Sequence, residues 1–185
     1  MRLFIALSAQ PSFLNEIRPF LSSARRMWPG VKWVSEEQIH LTVKFLGDAG
    51  NLSCIIPALE RVRFAPFEAV TESRLLFLGK EREVRVIALK LDSLLPEELF
   101  KEVEEALAEC GIPRETRPFL PHITLGRIKE KVSRREAEAR LAGAGPLPRA
   151  SYPCPGMRLY ESILRKEGPE YILRRDYPFV EGRRI

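Results

Sequence analysis

Histidine and cysteine are both scarce in this chain, which has two histidines and three cysteines among its 185 residues. The cysteines, Cys54, Cys110 and Cys154, are odd in number, far apart and without C-x-x-C spacing. We therefore expect neither a disulfide framework nor a zinc site, and we expect a reducing, cytoplasmic location.

Long apolar runs are also missing from the sequence. The opening residues 1–7 form an apolar run that is too short for a signal peptide and has little positive charge before it. These residues are instead predicted to form a first strand. No later stretch is long enough to span a bilayer, so no membrane association is expected.

The charge balance is basic but not extreme, with 30 Lys and Arg against 25 Asp and Glu and a net charge of +5. Such an excess favours an anionic ligand without requiring one. The apolar fraction of 45% is ordinary for a globular protein. We predict a single folded domain over residues 1–185, and a monomer, because no coiled-coil pattern or long exposed apolar pattern demands a partner.

Both histidines lie in tetrapeptides of one form, His40-Leu41-Thr42-Val43 and His122-Ile123-Thr124-Leu125. Apolar and polar residues alternate through both, which is typical of a half-buried strand. The His and Thr of each motif then share one face, with Cα atoms roughly 6.6 Å apart. Two such strands facing each other would surround a small anionic group with four polar side chains.

A pair of histidines suits acid–base chemistry, because the imidazole titrates near neutral pH. One neutral ring can take a proton from an attacking hydroxyl or water while the other, protonated, gives one to a leaving oxygen. Threonine hydroxyls and an arginine can hold the oxygens on which negative charge develops. This combination predicts metal-free phosphodiester chemistry at His40, Thr42, His122 and Thr124.

Metal binding and an ordinary structural role are the alternatives to acid–base chemistry at the two motifs. Histidine is a common metal ligand, but neither tetrapeptide contains Asp or Glu, and threonine is a weak ligand for zinc, so no metal is expected. His and Thr also occur at ordinary solvent-facing strand positions. One copy would fit such a structural role well, whereas two copies that contain all the histidine of the chain favour a function.

Strand and helix patterns alternate along the rest of the sequence. The clearest helix begins at Pro96 and stops at Gly111, and a capping box of Ser133 and Glu136 opens another that ends near Gly143. Helices are also predicted over 12–27, where Pro19 should break or kink the helix, and over 53–63. Strands are predicted over 67–71, 75–78, 84–91, 157–164 and 171–174, with an extended lead over 117–121 and a proline-rich loop over 146–155. Each half thus offers strands, helices and one motif, which predicts an α+β fold of two similar lobes around a cleft.

The ordered set of motifs resembles the bacterial and archaeal RNA 2′,3′-cyclic phosphodiesterases, or 2′-5′ RNA ligases, of the 2H phosphoesterase superfamily. The resemblance covers nearly the whole chain. It rests on the opening residues 1–7, on HLTVKFLG over 40–47, on RPFLPHITLGR over 117–127 and on the closing region 161–171. It implies two α+β lobes whose antiparallel sheets and helices surround a central groove that bears both motifs.

The resemblance also implies an activity and residue roles. The reaction is hydrolysis of an RNA 2′,3′-cyclic phosphate to a 2′-phosphomonoester without a cofactor, and reversible 2′-5′ ligation of RNA ends is a further implied reaction. His40 would be the acid for the departing 3′-oxygen and His122 the base that activates water. Thr42 and Thr124 would bind the phosphate oxygens. The candidate substrate-binding residues are Arg127, then Arg117, and Phe45, which could stack on a base or pack in the core.

Two further functions stay open from the sequence. The chain could be a binding module for RNA ends or nucleotides whose histidines no longer turn over. It could also be a phosphodiesterase of the same superfamily that acts on another substrate, such as a 2′-5′ linked oligonucleotide or an ADP-ribose cyclic phosphate. Assay of a cyclic nucleotide with each histidine variant separates the first possibility, and a substrate panel separates the second.

Overall fold

The computed structural model describes residues 1–91, 94–166 and 168–180. In these ranges the chain forms nine strands and four α-helices. The strands are β1 (Arg2–Ser8), β2 (Val31–Trp33), β3 (His40–Asp48), β4 (Phe67–Lys80), β5 (Glu83–Leu91), β6 (His122–Ile128), β7 (Ser151–Cys154), β8 (Gly156–Leu164) and β9 (Pro169–Pro178). The helices are α1 (Pro11–Met27), α2 (Leu52–Glu60), α3 (Leu95–Ala108) and α4 (Arg134–Leu141).

The strands form one antiparallel sheet in the order β7-β4-β5-β6-β3-β1-β8-β9, with β2 added beside β6. Its two halves meet at the β3–β6 boundary, where the paired residues of the described chain are Leu41 and Ile123 alone. Strand β6 also pairs with β5 along one edge, and its residues after the Leu41–Ile123 pair are bonded to β2. We call β3-β1-β8-β9 the first lobe and β7-β4-β5-β6 with β2 the second lobe. The predicted two-lobed α+β fold is confirmed.

The helices cover one face of each lobe. Helices α2 and α3 pack together, with α3 against β3 and α2 against β9, whereas α1 packs against β7 and α4. Apolar strand residues on this face are fully buried, including Ile5, Leu41, Ile87 and Ile123. The opposite face of the strands is thereby left for polar side chains. None of the described helices is both long and apolar enough to cross a bilayer.

Pro19 was predicted to break or kink helix α1; the helix continues through Pro19, so a break is wrong, whereas a kink stays a prediction. The missing hydrogen bond and the ring clash of an internal proline cost about 3 kcal/mol. Against this, Ile17 and Phe20 on either side of Pro19 are both buried, and each such side chain contributes about 1.5–3 kcal/mol. Burial of the helix face on both sides of the proline outweighs the local cost.

The region predicted as a proline-rich loop contains a strand. Strand β7 pairs with the first part of β4, and Pro153 is tolerated because β7 is at the edge of the sheet. The two strands predicted over 67–71 and 75–78 are one strand, β4, whose register shifts between Thr71 and Leu75. Strand β2 was not predicted. The predicted helices at Pro96 and at the Ser133–Glu136 capping box are confirmed.

The expectation of no disulfide is wrong. Cys54 of α2 and Cys110, which follows α3, form a disulfide with Cα atoms 5.7 Å apart. Their separation of 56 residues leaves no local spacing signal, because the pairing arises from the packing of α2 on α3. Cys154 is a buried free cysteine. The cysteine pattern therefore no longer argues for a reducing compartment.

Candidate active site

The two motifs begin the strands β3 and β6. Ile39 and Leu41 are buried beside the half-buried His40 and Thr42, and Ile123 and Leu125 are buried beside His122 and Thr124 in the same order. This alternation places the His and Thr of each motif together on the face of the strand that is turned away from the helices.

The joint between the lobes brings the two motifs side by side. Leu41 lies opposite Ile123 in an antiparallel pair. One residue further in each direction, this register sets His40 across from Thr124 and Thr42 across from His122. The charge of His122 also lowers the pKa of His40. All four predicted motif residues therefore meet at the lobe boundary.

Each imidazole is held by a backbone carbonyl two residues before it. His40 Nδ1 lies 2.6 Å from the carbonyl oxygen of Gln38, and His122 Nδ1 lies 2.8 Å from that of Leu120. A carbonyl oxygen only accepts, so Nδ1 carries the hydrogen in both rings. Nε2 is consequently the nitrogen that each ring presents for proton transfer.

The surroundings of His40 favour its neutral form. Burial lowers the pKa of His40 most, the charges of Arg127 and His122 lower it further, and the hydrogen bond to Gln38 opposes them. The ring lies 5.3 Å from Phe4 and 5.5 Å edge-on from Tyr171, between centroids. In the neutral ring, Nε2 accepts a hydrogen bond of 3.0 Å from the hydroxyl of Thr42.

Both motifs are followed by the same backbone irregularity. Strand β3 has an extra residue against β1 after Thr42, and β6 has an extra residue against β5 after Thr124. Such a bulge shifts the alternation of side chains by one residue. Phe45 and Arg127 are thereby returned to the face of the motifs, whereas Lys44 is buried on the helix side. Phe45 and Arg127 are equivalent positions of the two lobes.

The structure separates the predicted substrate-binding residues. Arg127 is exposed on the face of the motifs, and its charge acts to lower the pKa of both His40 and Tyr171. Phe45 is 70% exposed, which excludes its alternative interpretation as a core residue. Arg117 is exposed, precedes β6 and pairs with Glu115 at 3.3 Å. Nothing in this geometry brings Arg117 to the histidines.

A cluster of aromatic rings beneath the first motif was not predicted. Phe4 is buried and contacts Phe45 at 6.0 Å, Tyr160 at 5.4 Å and Tyr171 at 4.9 Å between centroids. Tyr160 also shares a hydrogen bond of 2.9 Å with Ser8, the residue opposite His40. The opening strand is a continuous apolar run, so its sequence does not indicate the face on which Phe4 lies, and the contributions of β8 and β9 depend on tertiary pairing.

The described residues contain no cluster of three or more His, Cys, Asp and Glu side chains that could hold a metal ion. The polar groups at the lobe boundary are imidazole nitrogens, hydroxyls and a guanidinium. This set is suited to a phosphoryl group. Hydrogen-bond donors can bind its oxygens, and the imidazoles can exchange protons with the oxygens that bond to phosphorus.

The chain is similar to known proteins over most of its length. The chain matches the family model described as LigT like Phosphoesterase over residues 8–88 and 96–171. An RNA 2′,3′-cyclic phosphodiesterase of Thermus thermophilus is 34% identical over 184 residues, which cover 92% of this chain and 86% of that protein. One of Archaeoglobus fulgidus is 32% identical over 183 residues, with 92% and 96% covered.

Solved structures show the same architecture over the whole chain. A crystal structure of a Thermus thermophilus protein has a TM-score of 0.77 at 28% identity, covering 97% of this chain and 98% of that one. Escherichia coli LigT complexed with 3′-AMP has a TM-score of 0.76 at 22% identity with the same coverage, which shows the fold alone. Because the family model matches most of its length, the chain belongs to the family of LigT-like phosphoesterases.

Proposed function

We propose that this protein hydrolyses RNA 2′,3′-cyclic phosphates to 2′-phosphomonoesters by acid–base catalysis with two histidines. The observation that carries the proposal is the matched pair of imidazoles at the lobe boundary, each fixed through Nδ1 so that Nε2 is presented. The relatives named RNA 2′,3′-cyclic phosphodiesterase support it.

The reaction needs one proton removed and one delivered. A neutral imidazole takes a proton from water as the water oxygen bonds to phosphorus, and a protonated imidazole gives its proton to the 3′-oxygen as the P–O3′ bond breaks. The product keeps the phosphate on the 2′-oxygen. If the 5′-hydroxyl of a second RNA end takes the place of water, the same two groups in the same roles would join the ends through a 2′-5′ linkage, with the proton from the 5′-hydroxyl going to the base and the 3′-oxygen receiving a proton from the acid.

The assignment of His40 as acid and His122 as base stays a prediction. In the unbound protein the pKa of His40 is lowered, which favours the neutral ring and works against an acid role. An anionic phosphodiester acts in the opposite direction, because a nearby negative charge favours the protonated ring. The acid role therefore requires that substrate raise the pKa of His40.

The hydroxyls and Arg127 are proposed to bind the phosphate oxygens. Thr42 donates to His40 in the unbound protein, so binding would exchange that hydrogen bond for one to a phosphate oxygen and release Nε2. Thr124 is the matching residue of the second motif. Arg127 is always charged, and its planar group can donate to two oxygens at once. Phe45 is proposed to stack on a base of the RNA.

The test is product analysis of a 2′,3′-cyclic nucleotide with purified protein, with and without EDTA. Formation of the 2′-phosphate at the same rate in both samples supports the proposal. An unchanged substrate would support the binding module, and loss of activity in EDTA would support a metal-dependent reaction. Location in the cytoplasm and a monomeric state remain proposals, and light scattering of the purified protein tests the second.

A further inference from the structure

The segment 112–121 connects α3 to β6 without regular secondary structure, and it ends at His122. Its Leu120 carbonyl is the group that fixes the His122 ring at 2.8 Å. The position of this carbonyl, and with it the direction of His122 Nε2, depends on what holds the segment in place. Near its end, Phe119 stacks on Phe100 at 4.6 Å between centroids, and the Pro121 carbonyl accepts from Leu91.

A buried ion pair holds the beginning of the segment. Lys44 of β3 and Glu104 of α3 form a salt bridge, with side-chain exposures of 4% and 6%. The Lys44 ammonium also donates to the carbonyl of Pro113 at 3.0 Å. The second carboxylate oxygen of Glu104 accepts from the backbone N–H of Glu115 at 3.0 Å. Both partners of the pair are thus bonded to the segment as well as to each other.

The same pair is also connected to the first motif, because Lys44 directly follows that motif in β3. Lys44 is two residues after Thr42, and the bulge after Thr42 is what turns its side chain to the helix side. A single buried contact therefore links the strand that carries His40 to the segment that orients His122. The active site needs these two histidines in a fixed relation, because they come from different lobes.

Apolar side chains of similar size could fill the space of this ion pair, so packing alone does not explain the two charges. Desolvation of two charges offsets much of their attraction, and apolar residues of similar size often give equal or greater stability. Apolar residues, however, would leave the Pro113 carbonyl and the Glu115 N–H without their partners. Since residues 113 and 115 are exposed, water can satisfy these groups, and the beginning of the segment would be released without unfolding the core.

We infer that Lys44 and Glu104 are positioning residues that set the orientation of His122 relative to His40. The inference rests on the proposed function for its catalytic consequence. The pair touches no reacting atom, so its removal should lower kcat and disturb the His122 ring while the fold persists.

The test compares wild-type protein with the double variant Lys44→Met/Glu104→Leu, which replaces both charges by apolar side chains. We expect kcat to fall about 10- to 100-fold, the scale for a misplacement of about 1 Å. Long-range ¹H–¹⁵N spectra give a second readout, since the chain has two histidines only. We expect His122 to lose its preference for the Nδ1–H form, whereas His40, held by Gln38, keeps it.

Two matched variants separate positioning from stability. Glu104→Gln keeps one acceptor oxygen, which can serve Lys44 or the Glu115 N–H but not both, and it should lower kcat less than the double variant does. Thr71→Val removes a buried hydroxyl that bonds to Ala150 and Pro148, away from both motifs, and should cost stability without changing kcat or the histidine spectra. A folded double variant with wild-type kcat and an unchanged His122 spectrum would overturn the inference.

A measurement on the wild-type protein covers the case in which the double variant does not fold. The Glu115 amide lies in an exposed segment, yet its hydrogen bond to Glu104 should protect it from hydrogen exchange. Exchange at the rate of a free loop would overturn the inference. An inactive wild type would instead defeat the proposed function, and the His122 spectrum would still test the positioning.

Discussion

At the scale of single residues, the protonation of His40 is the property on which the proposed reaction depends most directly. Its ring is enclosed by Phe4 and Tyr171 and lies near the charge of Arg127. Burial and like charge both disfavour the imidazolium form. The unbound site therefore lowers the pKa of His40 and favours its neutral form, and an anionic ligand would act in the opposite direction.

The first prediction concerns the pKa of His40. Titration by NMR should give a midpoint below the ordinary value of about 6.5. Removal of the positive charge in Arg127→Gln should raise this midpoint towards the ordinary value, because one cause of the lowering is lost. Arg85→Gln, on an exposed residue paired with Glu83, is the control and should leave it unchanged. A midpoint that falls in Arg127→Gln would contradict the electrostatic description of the site.

The second prediction concerns Phe45. If its exposed ring stacks on a base, Phe45→Ala should raise KM for a cyclic-phosphate RNA about 5- to 100-fold, since one base–aromatic stack contributes about 1–3 kcal/mol. Phe45→Tyr keeps an aromatic face and should stay near the wild type. Leu164→Ala removes an equally exposed apolar side chain at the end of β8 and serves as the control. An unchanged KM in Phe45→Ala would remove Phe45 from the binding site.

At the scale of elements, the two bulges decide which residues reach the site. Without the extra residue after Thr42 and Thr124, simple alternation would put Lys44 and Gly126 on the face of the motifs. The bulges instead present Phe45 and Arg127. Gly126 is the residue of the second lobe that corresponds to Lys44 of the first. Because it has no side chain, β2 can approach β6 closely.

The third prediction follows from that approach. A Cβ at Gly126 would lie 2.6 Å from a methyl carbon of Val31 and 3.0 Å from the Trp33 ring, so Gly126→Ala must displace β2. We expect the free energy of unfolding to fall by about 1–3 kcal/mol, as for other overpacked sites. Gly50 has no atom within 4 Å of such a Cβ, and Gly50→Ala should be tolerated. Denaturant unfolding of both variants checks this, and equal stabilities would contradict the packing described for β2.

The strands that carry the motifs could be predicted from the sequence, whereas the bulges and the Lys44–Glu104 pair could not, for physical reasons. Alternation around His40 and His122 predicted the buried and open faces, because the side-chain period of a strand is a local property. The bulges, by contrast, depend on pairing with β1 and β5, which a single strand does not encode. For the same reason Lys44 gave no signal, since its partner Glu104 is 60 residues away. Arg127 was found through the family pattern, and not through spacing.

At the scale of the whole molecule, two lobes built from distant parts of the chain share one sheet through the pair Leu41 and Ile123. Because so little backbone pairing joins them, the bonds of Lys44 and Glu104 to the segment that leads to β6 contribute to their relative placement. The Cys54–Cys110 disulfide adds a covalent link between α2 and the end of α3, just before the segment that leads to His122.

The fourth prediction tests that link. Thiol titration of the denatured, unreduced protein should count one thiol, that of Cys154, and titration after reduction should count three. The reason is that two of the three cysteines are paired. Cys154→Ser should lower both counts by one. Three thiols in protein purified under oxidising conditions would show that Cys54 and Cys110 are not joined in solution.

The proposed reaction requires both histidines, and no metal ion, to cleave the P–O3′ bond of a cyclic phosphate. An RNA oligomer ending in a 2′,3′-cyclic phosphate is incubated in EDTA with the wild type, His40→Ala or His122→Ala, and the products are identified. We expect a terminal 2′-phosphate with the wild type and a loss of activity of at least about 10²-fold in each folded variant. Wild-type rates in either variant, or a 3′-phosphate product, would contradict the proposed reaction.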